Sequence, residues 1–115
     1  MRYQGSCHCG AVRFEAEGEL AHVIECNCSH CSRKGLLLWF VPRAQFELKS
    51  GEEGLCSYRF HTHRIEHRFC AHCGTQPCAY GTDASGAEMV AVNVRCLEEV
   101  EIATLKRQPY DGRSM

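Results

Sequence analysis

Ten cysteines in 115 residues leave this chain few ways to fold, because seven of them fall in three short clusters. The first is Cys7-His8-Cys9, the second Cys26-Asn27-Cys28-Ser29-His30-Cys31, and the third Cys70-Ala71-His72-Cys73. Two of the clusters are pairs, which together supply four thiols. The middle one is a triplet, an incomplete tetrahedron. Structural zinc sites are closed by four protein ligands, whereas catalytic zinc sites keep three and leave a position for water or substrate. Four plus three is therefore the pattern of one closed site and one open site.

Cysteine at this density means either disulfides or metal. Met1-Arg2-Tyr3-Gln4-Gly5 leads directly into the first cluster without the apolar stretch of a signal peptide, so the expected location is cytoplasmic. In that reducing setting clustered thiols act as ligands rather than bridges. Leu36-Leu37-Leu38-Trp39-Phe40-Val41, the longest apolar run, is too short to span a bilayer, and no membrane partner is expected. A formal charge of −1 gives no basic field for nucleic acid, which is excluded as a partner on that ground. The length is that of a single domain, residues 1–115, with a core small enough to need staples.

Alternation sets the fold class. Val12, Phe14 and Ala16 alternate with Arg13, Glu15 and Glu17, a period of two that marks a half-buried strand. His22 to Glu25, Leu36 to Val41, Phe46 to Lys49, Leu55 to Arg59, Arg64 to Phe69 and Met89 to Val94 read as further strands. Pro42 should end the apolar one, since proline cannot donate to a ladder. A turn is expected at Phe60-His61-Thr62-His63, a polar turn or single helical turn at Ser32–Gly35, a short helix at Leu97–Val100, and an irregular tail from Lys106. Many short strands with turns between them predict an all-β domain.

Cys7 and Cys9 are followed by Gly10, and Cys70 and Cys73 by Gly74. Glycine there permits a tight turn that aims amide groups at the sulfurs, so the two pairs can close one tetrahedral zinc. Buried free cysteines and a four-thiolate iron site are the alternatives. Cys26, Cys28 and Cys31 converge from one turn, and three thiolates on zinc leave a corner suited to a sulfur substrate. His30 as a fourth ligand would close that site instead, and a metal-free triplet would be a redox cluster. Arg33 and Lys34 flank it and either hold an anionic substrate or are simply solvated.

Three blocks carry a resemblance: Gly5-Ser6-Cys7-His8-Cys9-Gly10-Ala11-Val12-Arg13-Phe14, Cys26-Asn27-Cys28-Ser29-His30-Cys31-Ser32-Arg33-Lys34-Gly35, and Phe69-Cys70-Ala71-His72-Cys73-Gly74-Thr75-Gln76-Pro77. Trp39-Phe40-Val41-Pro42, Leu48-Lys49-Ser50-Gly51-Glu52, Tyr58-Arg59-Phe60, Asn93-Val94-Arg95-Cys96-Leu97 and Tyr110-Asp111-Gly112 add weaker matches. Together they resemble the glutathione-dependent formaldehyde-activating enzyme family, which also contains centromere protein V. The resemblance implies an all-β fold of several short coiled, mostly antiparallel sheets stapled by zinc, with little helix, and two zinc ions per chain. Cys7, Cys9, Cys70 and Cys73 would hold a structural zinc, and Cys26, Cys28 and Cys31 a labile catalytic one. It also implies carbon–sulfur lyase chemistry, in which glutathione and formaldehyde interconvert with their S-hydroxymethyl adduct. The expected partners are a small thiol such as glutathione and an aldehyde.

Other residues carry weaker expectations. Cys56 and Cys78 read as buried thiols, and His61, His63 and His67 as one solvated strand face or an acid–base group over the open zinc. Trp39 and Phe40 are core residues or pocket walls, and Arg64 and Arg68 are further candidates for a substrate carboxylate. No general base is singled out. The rival function is a non-catalytic zinc module that binds a protein, and leftover strand edges leave room for a homodimer.

Overall fold

A computed structural model describes residues 1–60 and 64–114. In chain order the elements are β1 (Arg2–Ser6), β2 (Arg13–Glu17), β3 (His22–Cys26), α1 (Ser29–Lys34), β4 (Leu38–Pro42), β5 (Phe46–Ser50), β6 (Leu55–Tyr58), β7 (Glu66–Cys70), β8 (Cys78–Thr82), β9 (Glu88–Asn93) and β10 (Lys106–Tyr110). They form a three-stranded sheet, β1-β2-β5, and a seven-stranded sheet ordered β10-β3-β4-β9-β8-β7-β6. The fold is the expected all-β one, mostly antiparallel, with one short α-helix and several 3₁₀ turns.

Period-two alternation decides what each face of the large sheet does. Leu37, Trp39 and Val41, Val90 and Val92, and Cys78 and Tyr80 point to one face, where they meet Phe14, Ala16 and Phe46 of the small sheet. Tyr3 meets Trp39 edge-on at 5.4 Å and Phe46 meets Tyr80 edge-on at 6.2 Å, so aromatic contacts join the two layers. Leu38, Ala79 and Ala91 point to the opposite face and pack with Leu36, Cys31, Cys26 and Cys28. The small residues Ala79 and Ala91 leave room there for α1 and the thiol triplet.

Two expectations fail. The segment Leu97–Val100 is not a helix: a 3₁₀ turn at Val94–Cys96 precedes it, and Leu97 forms a bridge with Gly5. Leu97 is buried in the main core, the Glu98 amide donates to the Gln4 carbonyl at 2.8 Å, and Glu99 has φ 57°, outside helical space. The tail is not irregular either. β10 pairs in parallel with β3, from Lys106 opposite His22 to Tyr110 opposite Cys26. All five β10 residues are exposed, and Pro109 is tolerated because the strand lies at the sheet edge. β1 and β8 were not among the expected strands. Elsewhere the strands shift by a residue or two, and Pro42 is the last residue of β4 as anticipated. His61, Thr62 and His63, in the expected turn, lie outside the described residues.

Leu37 is 1% exposed at the centre of this core. Leu37→Ala should cost about 2–5 kcal/mol, by lost transfer energy plus the cavity left behind. Chemical denaturation of the metal-loaded protein measures it, and a loss under 1 kcal/mol would show the layers to be loosely joined.

Candidate metal centres and the adjoining groove

The loop from β1 to β2 carries Cys7 and Cys9, the end of β7 carries Cys70, and the turn after it carries Cys73. Their four sulfurs all lie within 4.8 Å of one another. Cys7 and Cys9 Sγ are 3.6 Å apart, and Cys9 and Cys70 Sγ 3.7 Å. A zinc–sulfur bond of about 2.3 Å at the tetrahedral angle puts two sulfurs about 3.8 Å apart, whereas a disulfide requires about 2.05 Å. The separations therefore suit a shared metal ion and not a bridge. Gly10 and Gly74 have φ of 82° and 79°, the left-handed conformation the paired spacing called for. Their amides close matching turns, Gly10 N to Cys7 O at 3.2 Å and Gly74 N to Cys70 O at 2.8 Å. His8 and His72, between the ligands in sequence, are exposed loop residues.

Local dipoles favour the charged form of some of these sulfurs. The Val12 amide donates to Cys7 Sγ at 3.4 Å, and on balance the Cys7 thiol is lowered although burial opposes it. The Thr75 hydroxyl, 3.5 Å from Cys73 Sγ, is the main reason that thiol is pulled down to about 5. Cys9 moves the other way, up to about 11: the Ala11 amide lowers it, but neighbouring thiols and burial outweigh that. Four thiols this close cannot all ionise without a cation among them. The donor set fits a divalent, thiophilic metal.

The second cluster is more local. Cys26 ends β3, Cys28 is the N-cap of α1, and Cys31 lies within the helix. Their sulfurs also lie within 4.8 Å of one another. The Cys28 amide donates to Cys26 Sγ at 3.5 Å and the Cys31 amide to Cys28 Sγ at 3.3 Å. Burial opposes ionisation of Cys28, but the Cys31 amide, the neighbouring Cys31 and Cys26 thiols and the His30 amide together hold its thiol below its usual value. Burial pushes Cys26 up and Cys31 far up. A set with one favoured and two disfavoured thiolates is completed by a positive ion, so this cluster fits a metal as well.

His30 does not close the site. Among the described residues no fourth histidine, cysteine or carboxylate joins the three sulfurs. Instead its ring stacks on Tyr58 at 5.7 Å and Phe60 at 5.3 Å, and meets His67 at 3.9 Å. Both His30 ring nitrogens are buried without a hydrogen-bond partner among the described residues. His67 also departs from expectation: it is 5% exposed, not on a solvated face. Its Nδ1 lies 3.0 Å from the Gln76 side-chain nitrogen, and Lys34 Nζ donates to Gln76 Oε1 at 2.8 Å. An amide nitrogen can only donate, so His67 Nδ1 accepts and the ring's own proton sits on Nε2 when it is neutral.

Ser29, His30, Arg33 and Lys34 of α1, with Tyr58 at the end of β6 and Phe60 just beyond it, line a groove of about 480 Å³. Arg33 and Lys34, both singled out by sequence, bring two cations to it. Trp39 and Phe40 do not contribute: Trp39 is in the core and Phe40 faces solvent elsewhere. Arg68 pairs with Glu66 and lies over the Tyr80 ring, and neither it nor Arg64 lines the groove. Cys78 is fully buried, Cys56 only half so. Tyr58, Phe60 and Gln76 were not recognised as site residues, since nothing local to them distinguishes a groove wall from any strand or turn.

The described structure is thus that of a small β protein with two thiol clusters able to hold metal ions, one of four sulfurs and one of three. Its sequence belongs to the glutathione-dependent formaldehyde-activating enzyme family, whose model matches residues 2–110. Among solved structures it is similar to a Rhodobacter sphaeroides protein, with 32% identity and a TM-score of 0.79 over 91% of this chain and 99% of that one. No helix among the described residues is long and apolar enough to cross a membrane.

Burial, then the nearby His30 and Lys34, depresses the His67 imidazole to about 4 from its ordinary 6.5. In the unfolded chain it takes up a proton below about pH 6.5, while the folded protein resists until about pH 4. Its contribution is therefore complete above pH 6.5 and lost as pH falls toward 4, amounting to up to about 3 kcal/mol. Denaturation midpoints between pH 6.5 and 4.5 should fall less steeply in His67→Gln than in the wild type. Parallel curves would mean that this imidazole is not held neutral by its surroundings.

Proposed function

We propose that this protein is a zinc-dependent carbon–sulfur lyase acting on adducts of a small thiol with an aldehyde, of the S-hydroxymethylglutathione type. The observation that carries the reading is the triplet: three gathered sulfurs, with His30 stacked among aromatic rings instead of joining them. Cys7, Cys9, Cys70 and Cys73 would hold a structural zinc and Cys26, Cys28 and Cys31 a catalytic one, in a single domain spanning residues 1–115. When bound at the triplet, zinc supplies Lewis acidity and lowers the pKa of a substrate thiol.

The chain's own residues do the rest. Amides of Cys28 and Cys31 stabilise negative charge on the neighbouring sulfurs. Arg33 and Lys34 offer cations to the carboxylates of a thiol such as glutathione, while Tyr58 and Phe60 cover its apolar parts. Lys34 is steadied by Gln76, which keeps its ammonium at the groove wall. In the reaction the sulfur–carbon bond forms or breaks, and the thiol proton ends on the former carbonyl oxygen or returns from it. No residue is assigned as the base. We place the activity in the cytoplasm, where thiols are reduced, and the exposed residues of the edge strand β6 would suit pairing in a homodimer.

Cys28→Ser should abolish adduct turnover while leaving the unfolding midpoint near that of the wild type. Cys70→Ser should instead lower that midpoint steeply, because it opens the long-range cluster. Zinc content before and after dialysis against millimolar glutathione separates this reading from a protein-binding module. Two equivalents, one of them displaced or perturbed by the thiol, support the lyase. Two equivalents that the thiol leaves untouched, with no adduct turnover, favour the module.

A further inference from the structure

Gly112 is where the C-terminal segment meets the thiol triplet. A Cβ at this position would stand 2.7 Å from Cys26 Sγ and 3.1 Å from Cys28 Cβ. Only a residue without a side chain lets the backbone lie so close to a sulfur. The segment is docked there by Asn27, the residue between those two cysteines. Asn27 N donates to the Tyr110 carbonyl at 3.1 Å, and its Nδ2 donates to Asp111 Oδ1 at 3.0 Å. Its Oδ1 accepts from the Arg113 amide at 2.9 Å, and the Ser114 hydroxyl donates to Asp111 Oδ2 at 2.7 Å.

Hydrophobic burial does not explain this docking, because every residue of β10 is exposed. The other side-chain contact along the strand pair, Arg107 Nη1 to Glu25 Oε2 at 3.4 Å, is an exposed ion pair worth little. The polar groups converge instead on the turn that presents Cys26 and Cys28. On its other side the strand leading to that turn is sparsely paired: β3 meets β4 through the single register pair Ile24 and Leu38.

We propose that residues 110–114 are a clasp that retains the metal ion of the triplet. The clasp braces the Cys26–Cys28 turn so that two of the three sulfurs keep their spacing, and it covers the cluster beside Cys26. Exchange of the ion is then confined to the sides the tail leaves open. Asn27 and Asp111 act as positioning residues, and Gly112 supplies the close approach. The inference rests on the reading that the triplet holds an ion.

The test is zinc release from the loaded full-length protein to a chromogenic chelator, followed in time. The wild type should release one equivalent in a fast phase, from the triplet, and one in a slow phase, from the four-sulfur cluster. Asn27→Ala and Gly112→Ala should accelerate the fast phase about tenfold and leave the slow phase and thermal midpoint unchanged. A change in the fast phase below threefold in both variants overturns the clasp, as does equal acceleration of both phases, which would be general loosening. Should either variant fail to fold, Asp111→Ala, on the exposed side of the clasp, decides by the same threshold. Wild-type protein that takes up only one equivalent in excess zinc would overturn the two-ion reading itself, a separate outcome visible before any variant is made.

Discussion

Cys9 and Cys70 lie 61 residues apart in the chain, yet their sulfurs are 3.7 Å apart. Closing a loop of that length costs about 4 kcal/mol in chain entropy. A zinc ion in a four-thiolate site contributes about 10–16 kcal/mol, several times that cost. Metal ligation can therefore tie the β1–β2 loop to the end of β7, an advantage to a chain with a small core. The cluster also has its own apolar surround: Val12 is fully buried beside Cys7 and Cys70, with Leu48 and Leu55 against them. Leu48 belongs to the small sheet and Leu55 to the large one, so the cluster lies at a seam between the layers.

From that seam the alternation of side chains assigns the rest. One face of the seven-stranded sheet is committed to Trp39, Val41, Val90 and Val92, and it packs on the small sheet. The other carries Leu38, Ala79 and Ala91 against the triplet. A change of one residue in register would move large side chains to the triplet's side and alanines into the core. The same register places His67 beneath α1, where it meets His30 and Gln76 rather than solvent. Core formation and the placing of the triplet are thus consequences of the same pleat.

The parts legible in the sequence were those whose cause is local. Thiol spacing pointed to both clusters and the glycines after each pair to the turns of the four-sulfur one, because ligand chemistry and turn geometry act over a few residues. Strands such as β2 and β9 showed themselves through apolar spacing. β10 did not, because Lys106, Arg107 and Gln108 carry no alternation and the strand is held by backbone pairing with β3. Leu97-Glu98-Glu99-Val100 has helix-forming composition, but burial of Leu97 and the bond from Glu98 to β1 override it. His67 looked like part of a polar strand face for the same reason. What buries it is α1, more than thirty residues earlier, and no short window of sequence contains both.

The two clusters differ most in how they depend on the fold. Four sulfurs drawn from distant segments exist as a site only when the sheets are in place, so an ion there would be linked to folding itself. Three sulfurs within six residues need almost no loop closure, and their ligand set can form while the rest of the chain is unaffected. An ion at the triplet could accordingly leave or exchange without unfolding the protein. Such independence suits a site that admits a thiol, but it also leaves retention to whatever braces the turn. In this structure the bracing falls to polar contacts from the tail onto Asn27, which can be broken singly without opening the core.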